Sequence, residues 1–177
     1  MQTKSLKNDE YPLSEDTFFL VDNIENEKGD FALDIGSGSG YLTKLLSENF
    51  SFVVGTDTNF EVLKHQTYKT KNLICCHGSD ALNVKFDLIV CNPPYLATDE
   101  ILDIATDGGT EGLEIPINII KSAIPCLNRT GKFLFVTSSL SNYQALIDAT
   151  KKEGLTVKII AKKKLFFEEL IIIEAKK

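Results

Sequence analysis

Arginine, histidine and long apolar runs are nearly absent from this sequence. Arg129 is the only arginine among the 19 basic residues, and the formal net charge is -6. Because arginine is the usual partner of phosphates and guanine edges, this composition argues against a protein that binds nucleic acid mainly through its phosphates. The net charge alone still leaves room for a local basic groove.

The sequence also lacks the segments that carry proteins into or across membranes. No run of about 18 apolar residues occurs, which excludes a membrane-spanning helix. Residues 1–10 are polar and charged, and they lack the apolar centre of a secretory signal peptide. We therefore expect a cytoplasmic protein.

Metal-binding patterns are missing as well. No two of the four cysteines form a C-x-x-C pair, and the chain has only two histidines. A zinc site is therefore not expected, and buried, reduced thiols are the ordinary interpretation. The four cysteines are Cys75, Cys76, Cys91 and Cys126, and the two histidines are His65 and His77.

The length and apolar content suit one domain. The chain has 177 residues, 43% of them hydrophobic, which is enough for a sizeable core. We expect residues 1–13 to be a flexible N-terminal segment and residues 14–177 to form a single domain, without repeats or low-complexity segments.

Short apolar runs alternate with helical patterns along the chain. This alternation is typical of βαβ units with right-handed crossovers, and it predicts a mostly parallel, doubly wound sheet of seven strands with helices on both faces. Strands are expected over 31–35, 51–57, 73–76, 86–91 and 132–137, and helices over 14–26, 41–49, 59–71, 115–127 and 142–153. Two last apolar runs, 156–161 and 169–174, predict an antiparallel hairpin in which Lys162–Lys164 protect a turn or an edge.

The segment Asn92-Pro93-Pro94-Tyr95 follows the apolar run 86–91. Neither proline has an N–H for a sheet, and Asn92 is pushed toward extended backbone because it precedes a proline. The result is a stiff loop at the carboxyl edge of the sheet, where open α/β sheets bind ligands. It offers the Asn92 side-chain carbonyl, two proline carbonyls and a tyrosine ring, which suit a planar NH2 group such as a carboxamide or a base amine.

Gly36, Gly38 and Gly40 lie between a predicted strand and a predicted helix. Such glycines let backbone N–H groups approach a ligand closely, although many glycine-rich loops are simply tight turns. The G-x-G-x-G spacing differs from the dinucleotide pattern G-x-G-x-x-G, and no Walker Gly-Lys-Ser/Thr follows. Asp34, two residues before the loop, would suit a ligand with a cationic amino-acid end.

Two further carboxylates, one at the end of a predicted strand and one after the next strand, belong to the same edge. Asp57 could accept both hydroxyls of a ribose, or it could cap the helix that begins near Asn59. Asp80 could hold an adenine amino group, or it could cap a turn. Because Asp34 and Asn92 belong to the same edge, chance placement of the whole set is improbable.

Together these motifs resemble those of the class I S-adenosylmethionine-dependent methyltransferases. Within that class the chain is similar to the short HemK-type protein-glutamine methyltransferases, which modify class 1 translation release factors. The narrower resemblance rests on Tyr11–Leu20, on Gly108-Gly109-x-x-Gly112 and on Phe167–Leu170. Longer bacterial relatives carry an N-terminal helical domain for release-factor recognition, which 13 residues before the first helix are too few to form.

The resemblance implies S-adenosyl-L-methionine as cofactor and the glutamine of a Gly-Gly-Gln motif as methyl acceptor. It implies that Asn92, Pro93 and Tyr95 are catalytic, that Pro94 joins them in binding substrate, and that Asn92 also faces the cofactor. The resemblance also implies that Asp34 and Gly36, helped by Thr17, hold the methionine end of the cofactor, Asp57 its ribose, and Asp80 and Ala81 its adenine. Gly38 and Gly40 are the remaining implied cofactor-binding residues.

Other functions stay open at this point. Asn-Pro-Pro-Tyr also occurs in enzymes that methylate exocyclic amines of RNA or DNA, so an adenine or guanine amino-methyltransferase is the alternative, and a non-catalytic binding module is a third. Relatives of the short form in eukaryotes and archaea look dependent on a small zinc-binding activator subunit, which the resemblance implies as a possible partner here. No strong base is evident near Asn92, so positioning is expected to carry most of the catalytic effect.

Overall fold

A seven-stranded sheet forms the centre of the structure, a computed structural model that describes residues 13–99, 103 and 105–177. The helices are α1 (Glu15–Ile24), α2 (Tyr41–Leu46), α3 (Phe60–Lys64), α4 (Glu114–Cys126) and α5 (Tyr143–Lys152), with a 3-10 turn at Thr110–Gly112. The strands are β1 (Gly29–Ile35), β2 (Phe50–Asp57), β3 (Leu73–Cys75), β4 (Phe86–Cys91), β5 (Leu127–Ser138), β6 (Thr156–Lys164) and β7 (Glu169–Lys176). Apart from Leu13, the predicted flexible segment lies outside the described residues.

The strand order places a crevice at the middle of the sheet. The order is β3-β2-β1-β4-β5-β7-β6, in which β1 to β5 run parallel and β7 is antiparallel to both β5 and β6. The chain builds outward from β1 to β3 and then returns to β4 on the other side of β1. Such a switch point opens a ligand crevice at the carboxyl ends of the strands. The predicted mixed sheet with a C-terminal hairpin is confirmed.

Two apolar layers cover the two faces of the sheet. Leu33 of β1 packs in one layer with Ile120 of α4 and Leu146 of α5. Ala32, the neighbour of Leu33, faces the other layer, where α1 and α2 contribute residues such as Leu20 and Leu46. Because successive residues of a strand point to opposite faces, one continuous apolar run serves both layers. The prediction of helices on both faces is confirmed.

The helix predicted over 59–71 is wrong beyond Lys64, where α3 ends. The chain then turns so that Gln66, only 1% exposed, lies against the glycine loop. Its side-chain nitrogen donates to Ser37 Oγ at 3.2 Å, and Tyr68 N donates to the carbonyl oxygen of Ser39 at 2.8 Å. These contacts hold the segment in a turn, which local helical pattern alone does not anticipate.

The C-terminal hairpin also differs in detail from the sequence prediction. Lys162–Lys164 belong to β6 itself, so their placement in a turn is wrong and their placement at an edge is right. The turn is Leu165–Glu168, which is closed by a hydrogen bond from Leu165 N to the Glu168 carbonyl oxygen at 2.8 Å. Lys162 pairs with Glu169 at 2.7 Å on the exposed surface.

The cysteines are less uniformly buried than expected. All four are free thiols, but only Cys91 and Cys126 are buried, whereas Cys76 is half-buried and Cys75 is exposed at the edge strand β3. Burial raises the pKa of the Cys91 thiol well above its ordinary value, so this side chain behaves as an apolar core group.

Within the described part of the chain, no helix is both long enough and apolar enough to cross a bilayer. The same residues contain no group of three or more histidines, cysteines and acidic residues that could bind a metal ion. The expected cytoplasmic location stays a prediction.

Candidate active site

A cavity of about 1530 Å³ opens at the carboxyl ends of the parallel strands. Its lining brings together most of the residues that the sequence singled out, although they come from segments far apart in the chain. These residues are Thr17, Gly36, Gly38, Asp57, Asp80, Asn92, Pro93, Pro94 and Tyr95. Asp34, Gly40 and Ala81 are not among the lining residues.

Asp57 ties the glycine loop to the end of β2. Its Oδ2 accepts a hydrogen bond from Gly38 N at 3.0 Å, and its Oδ1 accepts one from Asn59 N at 2.9 Å. Asn59 is itself the cap of α3, because its side chain accepts from Glu61 N and Val62 N. Each carboxylate oxygen has a second lone pair, so Asp57 retains acceptor capacity toward the cavity.

The glycine loop presents backbone to the cavity at one end and packs on the protein at the other. A Cβ on Gly36 would meet no described atom within 4 Å, whereas one on Gly40 would lie 2.3 Å from the Tyr68 carbonyl oxygen. Gly36 N and Ser37 N both donate to the Thr56 carbonyl oxygen at 2.8 Å. Gly40 therefore serves the packing of the loop, whereas Gly36 and Gly38, which both line the cavity, are the glycines that a ligand can approach.

Asp34 is fully buried at the end of β1. Its Oδ2 accepts a hydrogen bond from Thr43 Oγ1 at 2.6 Å, and its Oδ1 has no partner among the described residues. Burial raises the pKa of this carboxyl to about 7, opposed by the hydrogen bonds from Thr43 and assisted by the nearby charge of Asp57. An approaching cation would favour the ionised form and lower that pKa again.

The side-chain amide of Asn92 has a defined orientation. Its Nδ2 donates to Thr17 Oγ1, at the start of α1, at 3.3 Å. Its Oδ1 is buried, belongs to a residue that lines the cavity, and has no hydrogen-bond partner among the described residues. An unpartnered buried acceptor is costly unless a ligand supplies a donor. The site is therefore built to receive an N–H or O–H group at Asn92.

Tyr95 is fixed through its hydroxyl group. The Tyr95 hydroxyl donates to Asp16 Oδ2 at 3.1 Å, and the residue is 9% exposed, with its ring in the apolar layer that includes α1. Asp16 Oδ1 accepts from Thr17 N at 2.6 Å and also contacts the Ser14 hydroxyl. The first turn of α1 thus holds both Asn92 and Tyr95. The sequence analysis did not single out Asp16, and only the structure shows this role.

Glu168 is a second residue that the sequence did not single out. It lies in the turn between β6 and β7, lines the cavity, and has a buried Oε2 without a partner among the described residues. No base was expected near Asn92, yet Asp16 and Glu168 both contribute carboxylates to the lining. The only sequence signal was the position of Glu168 in the Phe167–Leu170 motif.

The segment Thr106–Gly112, which contains the Gly108-Gly109-x-x-Gly112 motif, packs directly on the Asn92–Tyr95 loop. Leu96 N donates to the Thr106 carbonyl oxygen at 3.0 Å, and Gly108 N donates to the Leu96 carbonyl oxygen at 2.8 Å. Gly112 lies so close that a Cβ there would be 2.1 Å from the Tyr95 carbonyl oxygen. The two loops therefore support each other, which explains the glycines at these positions.

Comparison with known proteins identifies related chains. The family model of the methyltransferase small domain matches residues 13–167. A putative protein N5-glutamine methyltransferase of Methanocaldococcus jannaschii is 34% identical over 178 residues, which covers 93% of this chain and 90% of the relative. The methyltransferase HEMK2 of Homo sapiens is 28% identical over 172 residues, which covers 83% of this chain and 80% of the relative.

A solved structure is similar over almost the whole chain. It is a chain from the E. cuniculi Mtq2–Trm112 complex, which is responsible for methylation of the eRF1 translation termination factor. The TM-score is 0.82 at 25% sequence identity, and the match covers 96% of this chain and 99% of that one. The similarity therefore extends from the sheet to the C-terminal hairpin.

Replacing Gly112 by alanine is expected to destabilise the fold more than the same change at Gly154. Both glycines have positive φ, +69° at Gly112 and +86° at Gly154. Each alanine therefore costs about 1–2 kcal/mol of folding free energy, because its backbone must adopt a left-handed conformation. At Gly112 the new Cβ would also clash with the Tyr95 carbonyl oxygen, whereas at Gly154 it would meet no described atom within 4 Å. Urea unfolding measures both losses, and equal values would contradict the close packing of the two loops.

Replacing Asp34 by asparagine is expected to change how stability depends on pH. The folded-state pKa of about 7 lies above the ordinary value of 3.8, so between these values the folded state holds a proton that the unfolded state has released. The wild type therefore loses stability as pH rises through this window, by up to ~1.4 kcal/mol per pH unit, and Asp34→Asn lacks this loss.

Denaturant unfolding at several pH values between 4.5 and 8 tests this expectation. Asp22→Asn, at an exposed aspartate of α1, is the matched control and should follow the wild type. A constant difference in unfolding free energy between the wild type and Asp34→Asn across the range would contradict the raised pKa.

Proposed function

The chain belongs to the methyltransferase small domain family and to its HemK-type protein-glutamine methyltransferases, and on this premise we propose that it methylates the glutamine side chain of the Gly-Gly-Gln motif in a class 1 translation release factor. The observation that carries the proposal is the buried, unpartnered Oδ1 of Asn92, which is oriented by the hydrogen bond to Thr17. A carboxamide is a planar donor of the kind that such an acceptor requires.

The proposed cofactor is S-adenosyl-L-methionine, which supplies an electrophilic methyl group when bound. Its chemical groups fit the donors and acceptors of the cavity. The exposed side of Gly36 and the spare acceptor capacity of Asp57 suit its methionine end and its ribose hydroxyls, respectively. Asp80 is an exposed carboxylate of the lining and suits the adenine amino group. Ala81 and Asp34 lie outside the lining, so we assign Asp34 an electrostatic role.

Asn92 and Pro93 hold the amide group of the substrate glutamine through hydrogen bonds. An amide nitrogen is a poor nucleophile because its lone pair is delocalised into the carbonyl, as the ~18–20 kcal/mol barrier to amide rotation indicates. The Asn92 side-chain oxygen and the Pro93 carbonyl oxygen would each accept one N–H, which fixes the nitrogen for attack and favours the positive charge that develops on it. Both N–H groups would remain in place during transfer, and the cationic nitrogen would lose one proton to solvent only afterwards, so no base is required beforehand.

Tyr95 would pack against the plane of the amide. Its ring is held by the hydroxyl bond to Asp16, so it needs no reorganisation when the acceptor enters. An aromatic face near the nitrogen also stabilises positive charge. Together with Thr17, which holds Asn92, these contacts support a mechanism that depends mainly on positioning.

A protein acceptor is favoured over a nucleic acid by the charge of the chain and by its relatives. The net charge is -6 with a single arginine, and the Methanocaldococcus jannaschii relative is named a protein N5-glutamine methyltransferase. A basic partner surface would be needed for an RNA or DNA acceptor.

We also propose that the enzyme works with a small partner subunit. The proposal is supported by the E. cuniculi structure, which is a complex of Mtq2 with Trm112. The resemblance to short HemK-type enzymes adds the expectation that this partner binds zinc. Any such metal would belong to the partner, since the described residues of this chain hold no cluster for one.

Replacing Asn92 by alanine is expected to reduce turnover at least a hundredfold, because the amide loses the acceptor that orients its nitrogen. Cofactor affinity should stay within a few fold of the wild type. Methyl transfer from labelled cofactor and calorimetric cofactor binding measure the two effects. Asn26→Ala, at an exposed asparagine outside the cavity, is the matched control. Near-normal turnover of Asn92→Ala would exclude the mechanism.

Labelling of candidate acceptors is expected to distinguish the two substrate classes. The enzyme, purified alone and with a co-expressed small subunit, is incubated with labelled cofactor and either release factor, release factor with Gly-Gly-Ala in place of Gly-Gly-Gln, or total RNA. Label should appear only in the unaltered release factor. Label in RNA without label in the release factor would reject the proposed acceptor.

A further inference from the structure

The turn Leu165–Glu168 stands at the same edge of the sheet as Asn92. Leu170 of β7 lies opposite Ser138, the last residue of β5. Just beyond this pair, Glu169 N donates to Ser139 Oγ and Ser139 N donates to the Glu169 carbonyl oxygen, both at 2.9 Å. The turn is therefore anchored beside the carboxyl end of a parallel strand, where the cavity opens.

Two phenylalanine rings project from this turn into solvent. Phe166 is 90% exposed and Phe167 is 84% exposed, and no other large hydrophobic residue that the structure describes as exposed reaches these values. Their ring centroids are 4.6 Å apart with an interplanar angle of 77°. Paired aromatic rings at a surface are typical of sites that contact another macromolecule.

The next residue turns in the opposite direction. Glu168 lines the cavity, and its buried Oε2 has no hydrogen-bond partner among the described residues. A buried carboxylate oxygen without a donor is costly, so a ligand donor is expected to occupy it. One short segment thus combines an apolar outer surface with an acceptor that faces the site.

The strand order indicates which ligand the Glu168 carboxylate meets. The carboxylates that suit the cofactor are Asp57, the last residue of β2, and Asp80, which follows β3, and both strands lie on one side of β4. Glu168 precedes β7, on the other side of β4, and Asn92 at the end of β4 lies between the two groups. Glu168 is therefore on the side from which the methyl-accepting substrate must reach Asn92.

We propose that the Leu165–Glu168 turn is the docking element for the acceptor polypeptide, an inference that rests on the proposed function. Glu168 Oε2 accepts a hydrogen bond from a backbone N–H next to the target glutamine. Phe166 and Phe167 pack on apolar side chains of the release factor outside the cavity. A carboxylate at this position repels phosphates, which favours a polypeptide over a nucleic acid even though aromatic rings can also stack on bases.

The aromatic pair is tested by the double variant Phe166→Ala/Phe167→Ala. Because both rings are exposed, their loss should leave the melting temperature unchanged. The expected result is a rise of about tenfold in KM for the release factor, equivalent to 1.4 kcal/mol, with KM for the cofactor unchanged. Phe31→Ala/Phe52→Ala is the matched control, because these rings form another solvent-facing pair, each 39% exposed, near the starts of β1 and β2.

Glu168 is tested by Glu168→Gln, with Glu169→Gln as the control because Glu169 points to surface Lys162. Glu168→Gln should lower kcat/KM for the release factor about tenfold and leave the calorimetric Kd for the cofactor unchanged. A cofactor Kd that weakens in parallel would show a merely structural or cofactor role and would overturn the inference.

The two proposals fail in different ways. If the wild type methylates the release factor, and if KM and kcat/KM for the release factor in both variants stay within twofold of the wild-type values, the turn is not a docking element. The proposed function then stands. If the wild type labels RNA and not the release factor, the proposed function is wrong, and the assignment of a polypeptide to this turn is overturned with it.

Discussion

The hydrogen bond between Asn92 and Thr17 is the contact on which the rest of the site depends. Two prolines fix the backbone of the loop, but they do not decide which end of the Asn92 amide faces the cavity. The hydroxyl of Thr17 sits beside Nδ2, so the oxygen is the end left for a ligand. Asp16, which binds both Thr17 N and the Tyr95 hydroxyl, makes the start of α1 a common support for the loop.

The strand order gives the site two functional sides. On the side of β1 to β3, glycine backbone and carboxylates suit a ligand with a cationic end and hydroxyl groups. Buried Asp34, with its pKa raised to about 7, gives this side a charge that responds to the approach of a cation. On the side of β5 and β7, an exposed ring pair and one inward carboxylate suit a larger, polypeptide ligand. Asn92 lies where the two sides meet.

Much of the site is predictable because it is encoded locally. Buried strands are recognised from apolar runs, and the carboxyl ends of parallel strands necessarily share one edge. The side chains that follow those strands, such as Asp57 and Asn92, are therefore brought together by the strand pattern alone. The resemblance to HemK-type enzymes adds roles for them, and the family membership found by comparison agrees with it. The roles of single residues remain proposals.

The sequence by itself determined the alternation of strands and helices, the stiff Asn92–Tyr95 loop and the glycine loop after β1, because short-range backbone restrictions fix each of them. Only the tertiary structure decided the end of α3 at Lys64, the double contact of Asp16 and the entry of Glu168 into the cavity. These features depend on which distant segments come to lie side by side, and that is set by strand pairing and burial over the whole chain rather than by local pattern.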